Sequence, residues 1–175
     1  MLRRLKCNVM KYLPLKREFI IKFKSINFQR YFYNKTTLNF SVLNKNCSSS
    51  TVLNKIMILR KACLDPILFF FNYKQKNITK TLKFLFILFI MRLSIFLKKK
   101  VIIFSQFASF LNIISSYLDK TFLTYLLLSG FTKNKTKVCM EFNYGTMVNI
   151  LLMSSKSGSL GFNINEADIV VHYDP

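Results

Sequence analysis

The sequence predicts an α/β fold built on a parallel sheet and preceded by a mainly helical segment. Three observations carry that prediction. From Lys98 onward, short apolar runs alternate with helical patterns. The runs are apolar at consecutive residues rather than alternate ones, as strands covered on both faces are. The connections are short, and strand–helix repeats of this kind join parallel strands through crossovers.

Taken in order, Lys98-Lys99-Lys100 leads into a first strand, Val101-Ile102-Ile103-Phe104. Ser105-Gln106 follows. The next helix has Phe107, Phe110, Leu111, Ile114 and Leu118 on one stripe. Residues 124–128 read as the second strand, Ser129-Gly130 as its turn, and Thr132 as a candidate cap for a helix reaching Phe142. Residues 148–153 and 168–173 supply the remaining strands. Between them lies Ser154-Ser155-Lys156-Ser157-Gly158-Ser159-Leu160-Gly161, a loop of hydroxyls, glycines and one lysine.

The first 80 or so residues read as helical with breaks. A mixed basic and apolar segment covers residues 15–33, and a polar loop covers 44–50, with Ser50 or Thr51 as a candidate cap. Val52, Ile56, Leu59 and Cys63 then recur at helical spacing and predict one apolar face. Asp65-Pro66 ends that helix, because proline disfavours the helical conformation in the residue before it. A second helix is predicted over residues 80–98.

A chain of 175 residues forms one domain with a core, or one lobe of something larger. With 51% apolar residues it is not a disordered tail. The formal charge of +20 favours polyanions as partners, either nucleic acid or an anionic membrane surface. That vote is discounted, because abundant Lys, Asn, Phe and Ile with scarce Gly, Pro, Ala and Trp look like AT-rich codon bias. Cys7, Cys47, Cys63 and Cys139 form no C-x-x-C pair, and with the single His172 they make no zinc set. Scattered thiols point to a reducing, intracellular compartment.

The basic start, Met1-Leu2-Arg3-Arg4-Leu5-Lys6, mimics a transit peptide, and residues 82–97 mimic a membrane span. The span is interrupted by Lys83, Arg92 and Ser94, and its uninterrupted stretch falls well short of the roughly 20 residues a bilayer needs. A buried helix is expected there, and no membrane.

In an open parallel sheet, ligands bind beyond the carboxyl ends of the strands. Three loops fall on that edge. Ser105-Gln106 opens a helix, where N–H groups favour an anion, although Ser105 also reads simply as a cap. Ser129-Gly130-Phe131-Thr132 follows the second strand, and also reads as a plain turn. In the third loop, Lys156 supplies charge, and Gly158 and Gly161 let a phosphate approach the backbone; on spacing alone a G-x-x-G is a weak signal. His172 reads as a half-buried strand residue, and Phe69, Phe70 and Phe71 as core. No G-x-x-x-x-G-K-[ST] loop and no D-E-x-x carboxylate pair occurs, so a complete triphosphate and metal site is not encoded in these residues.

Five segments in order resemble the carboxy-terminal helicase lobe of the Swi/Snf-type helicase-like ATPases. Leu13-Pro14-Leu15-Lys16-Arg17-Glu18 is similar to the start of that lobe. Ile58-Leu59-Arg60-Lys61-Ala62-Cys63-Leu64-Asp65-Pro66-Ile67-Leu68-Phe69 is similar to its leucine-arginine-lysine-x-cysteine signature. Lys100-Val101-Ile102-Ile103-Phe104-Ser105-Gln106-Phe107 resembles helicase motif IV, and Leu128-Ser129-Gly130-Phe131-Thr132 resembles the L-x-G-x-T turn. Residues 154–174 resemble motif V and the segment after it.

The resemblance implies a RecA-like second helicase lobe that closes on a first lobe, in cis or trans, around ATP and Mg. It also implies a nuclear protein that moves along double-stranded DNA, with nucleosomes as a larger partner. Ser105, Gln106, Thr132, Ser155 and Lys156 match positions that face the DNA backbone or support that track. Gly158, Gly161 and Asn163 match the turn that senses nucleotide. On this reading residues 1–80 form a mainly helical lead-in and residues 81–175 the lobe, stopping before the arginine-finger motif. Two departures stand out: Ser159 where the family has a second glycine, and Ser129 where it often has an acidic residue. The expected function is a partial DNA-translocating, chromatin-remodelling ATPase, the alternative a non-catalytic basic remnant that binds DNA or protein, and hydrolysis by this chain alone is not expected.

Overall fold

A computed structural model describes residues 16–42, 49–69, 81–158 and 162–174. A run without regular structure leads into helix α1 (Asn27–Val42) and helix α2 (Ser49–Leu64), followed by a 3-10 turn (Pro66–Phe69). Helix α3 (Leu82–Phe96) then precedes strand β1 (Val101–Ser105), helix α4 (Ala108–Lys120) and strand β2 (Tyr125–Leu128). Helix α5 (Lys135–Tyr144), strand β3 (Ile150–Ser154), a single helical turn α6 (Ser155–Gly158) and strand β4 (Ile169–His172) complete the order. The strands lie in the order β2-β3-β1-β4, and every pair is parallel.

Alternation along each strand divides the apolar side chains between two faces. Val101, Ile103, Ile150 and Leu152 face a core shared with α3 and α4, where Phe84, Ile87, Met91, Phe110, Leu111, Ile114 and Leu118 are buried. Ile102, Leu151 and Met153 face a smaller core closed by Cys139 and Phe142 of α5. β1 and β3, at the centre, are buried almost throughout, and this is why their sequences carry no polar alternation.

α3 begins at Thr81, whose hydroxyl accepts from the Phe84 N–H at 3.3 Å and donates to the buried Asp65 carboxylate at 3.0 Å. That pair ties the sheet domain to the end of α2. Gln29 of α1 makes a second tie, donating to the Ala62 and Cys63 carbonyls at 3.0 and 2.8 Å. These carbonyls end α2 and have no partner within the helix.

Several expectations need correction. The helix carrying Val52, Ile56 and Cys63 exists, but these three residues are exposed, while Ala62 and Leu64 are the ones that enter the core. The reason is that α2 packs along α1 and the 3-10 turn, and only its last turn reaches the sheet domain. Helix α2 starts at Ser49, so Ser50 and Thr51 lie inside it. α5 is capped at Asn134 rather than Thr132. His172 is exposed on the edge strand, its ring stacked on Phe104 at 5.2 Å. Phe70 and Phe71 lie outside the described residues. Among the described residues no helix is long and apolar enough to cross a membrane.

Candidate functional site

The carboxyl ends of the four strands bring the turns after β2, β3, β1 and β4 into one row. Each turn is fixed by side chains that point inward. After β2, the Thr132 hydroxyl accepts from the Ser129 N–H at 3.0 Å and lies 3.3 Å from the Leu127 carbonyl, while the Thr132 N–H donates to the Ser129 carbonyl at 3.2 Å. Thr132 therefore builds the turn. Phe131, beside it, projects outward.

After β3, the buried Ser154 hydroxyl accepts from the Ser157 N–H at 3.3 Å and pairs with the Ser157 hydroxyl at 2.6 Å. This closes α6 and leaves Ser155 and Lys156 on the surface. Gly158 ends the turn; Ser159 and Gly161 lie outside the described residues.

After β1, Ser105 is only 1% exposed, and its hydroxyl accepts from the Phe107 N–H at 3.1 Å. It supports the edge and does not reach its surface. Gln106 does. Its N–H donates to Asp174 Oδ2 at 2.6 Å, and its side-chain oxygen accepts from Arg60 at 2.7 Å. Asp174 is 8% exposed, and its Oδ1 has no partner among the described residues. Beside it, Tyr173 stacks on Phe110 at 4.0 Å. Burial pushes the Tyr173 phenol well above its ordinary range, and the Asp65 carboxylate adds to the effect.

The structure thus gathers Ser105, Gln106, Thr132, Ser155, Lys156 and Gly158 on one edge. It does not bring Asn163 there. The Asn163 carbonyl accepts from Asn143 near the end of α5 at 3.0 Å, on the run that descends toward the start of β4. Arg60 and Asp174 are the residues that a reading by motif leaves without a role. No local pattern joins them to Gln106, since the three come from α2 and from the ends of β1 and β4. Among the described residues no three His, Cys, Asp or Glu side chains group to hold a metal ion.

Residues 83–175 match the family described as the helicase conserved C-terminal domain, and residues 1–68 match the SNF2-related domain. The chain belongs to the helicase conserved C-terminal domain family. Within that family it is a partial Swi/Snf helicase-like carboxy-terminal lobe. It is 31% identical over 192 residues to the chromodomain-helicase-DNA-binding protein 3 homolog of Caenorhabditis elegans, covering 99% of this chain and 11% of that protein. The chain spans between 11% and 18% of the length of such curated relatives. The lobe's fold is that of the Sulfolobus solfataricus SWI2/SNF2 ATPase C-terminal domain, with a TM-score of 0.72 at 20% identity over 84% of this chain and 67% of that one. The SWI2/SNF2 ATPase core of the same organism, solved in complex with dsDNA, gives a TM-score of 0.70 at 18% identity, over 85% of this chain and 32% of that one. Both likenesses fit the parallel sheet of this helicase C-terminal lobe.

Proposed function

We propose that this chain serves as the second lobe of an ATP-dependent DNA translocase of the chromatin-remodelling kind. Its carboxyl edge follows the backbone of double-stranded DNA. The observation that carries this reading is the division of labour on that edge. Ser105, Thr132, Ser154 and Ser157 turn inward and fix the turns, while Gln106, Ser155 and Lys156 stay on the surface of a chain of charge +20. Phosphates are bound by such exposed hydroxyls, amides and cations, without reading bases. The DNA in the complex of the similar archaeal core supports the same partner.

Gly158 and Gly161 are assigned to the turn that senses nucleotide between two lobes. Asn163 anchors the segment after it. The described residues do not fit a complete ATP and Mg site, since they group no three metal-ligand side chains and the sequence has no triphosphate loop. The nucleotide and its metal therefore belong to a first lobe, in cis or trans, and hydrolysis supplies the energy for movement when both lobes meet. A nuclear location and nucleosomal DNA follow from this reading.

The test is binding of the full chain to a short duplex of mixed sequence across a salt series. Affinity is expected to fall steeply between about 50 and about 200 mM salt, and Lys156→Ala is expected to lower the slope by about 1. Lys120→Ala, at the far end of α4, leaves the slope unchanged. Salt-independent binding, or no duplex binding at low salt, would falsify the reading.

A further inference from the structure

We infer that Phe131 is an apolar wedge that enters the minor groove of the duplex held along the carboxyl edge. The inference rests on the reading of that edge as a DNA track. Phe131 is 93% exposed, on a turn that Thr132 ties down through its hydroxyl and its N–H. The turn is therefore held while the ring stands in solvent. Gly130, before it, has open space where a Cβ would lie.

Placement adds to this. β2 and β3 pair in parallel up to Leu128 and Met153, so the turn carrying Phe131 and the turn carrying Ser155 and Lys156 leave the sheet from adjacent strands at the same edge. Lys133 follows Phe131 and is exposed, as is Lys156. An exposed aromatic ring on an edge that also carries exposed lysines does not suit the core of a protein interface, which is depleted of charge. It suits a polyanion with an apolar interior. The lysines meet phosphates, and the ring reaches the base edges between them. Apolar side chains of this kind partly unstack a base step when they enter the minor groove.

A control is built into the molecule. Phe122 is 94% exposed, but it lies in the connection that leads into β2, at the opposite end of the sheet. Binding of the full chain to a mixed-sequence duplex containing 2-aminopurine is measured by anisotropy and by the brightening of the base analogue. Phe131→Ala is expected to weaken binding roughly five- to tenfold, to abolish the brightening and to leave the salt slope unchanged. Phe131→Leu keeps an apolar wedge and restores most of both signals, and Phe122→Ala matches the wild type. Circular dichroism of each variant confirms that the chain is folded. Wild-type affinity and brightening in Phe131→Ala would overturn the wedge while leaving the backbone track intact. Equal losses in Phe131→Ala and Phe122→Ala would reduce the effect to general stickiness and overturn it too. Failure of the wild type to bind duplex at low salt would remove the track and the wedge together.

Discussion

The two ends of the same four strands are built on different principles. At the carboxyl end, buried hydroxyls and a buried carboxylate hold the turns: Ser105 on Phe107, Ser154 on Ser157, Asp174 on Gln106. At the amino end, an ion pair between Lys99 and Asp168 lies on the surface at 2.8 Å. There Phe96, Phe122, Tyr144 and Met147 are all exposed, in the helix ends and connections that lead into the strands. Lys98 and Phe122 also adopt left-handed backbone, with φ of 54° and 55°. Most polar groups kept away from water find a partner, and the partner fixes their geometry. A surface charge pair is under no such demand. The end held by dry polar contacts is the end assigned to the ligand.

The contrast can be broken or sharpened by substitution. The largest effect is expected at Ser154→Ala, which strands the Ser157 hydroxyl in a dry site and takes the acceptor from the Ser157 N–H. A loss of about 1–3 kcal/mol in urea unfolding is expected. A midpoint equal to the wild type would show that the turn after β3 is held by something else. Next is Phe122→Gly. A bulky residue with positive φ carries strain, and glycine at the end of a helix removes it, so a gain of about 1 kcal/mol is expected. A lowered midpoint would show that the ring does more than sit in solvent.

The smallest effect is expected at Asp168→Asn, under about 1 kcal/mol, because both partners are more than a third exposed and solvent screens them. The hydrogen bond from Lys99, with that from the Lys100 backbone, lowers the Asp168 carboxyl below its ordinary value. Its stabilisation is thus present above about pH 4 and fades as the pH falls further. The wild type should lose stability more steeply than the variant in that acid range. Parallel acid limbs would place Asp168 outside the balance.

The lobe was legible in the sequence to the extent that local patterns determine burial. The run Val101-Ile102-Ile103-Phe104 has one physical solution, a strand covered on both faces, and it takes it. The stripe of Phe110, Leu111, Ile114 and Leu118 is buried as its spacing demands. The stripe on α2 misled, because apolar spacing says which residues share a face and not whether another element covers it. Thr132 misled for a related reason. A hydroxyl before a helix can cap that helix or close the preceding turn, and here the turn takes it. The joining of Arg60, Gln106 and Asp174 was not legible, since it depends on three elements meeting.

The parallel register has a kinetic side. β1 finds its partners only in residues made about fifty and about seventy positions later, since Val101 pairs with Ile150 and with Ile169. During synthesis its apolar run waits unpaired, and such a segment can pair with the wrong chain. Lys98-Lys99-Lys100 stands directly before it. Three like charges at the mouth of an unpartnered strand repel a second copy, and so act as gatekeepers while the sheet is incomplete.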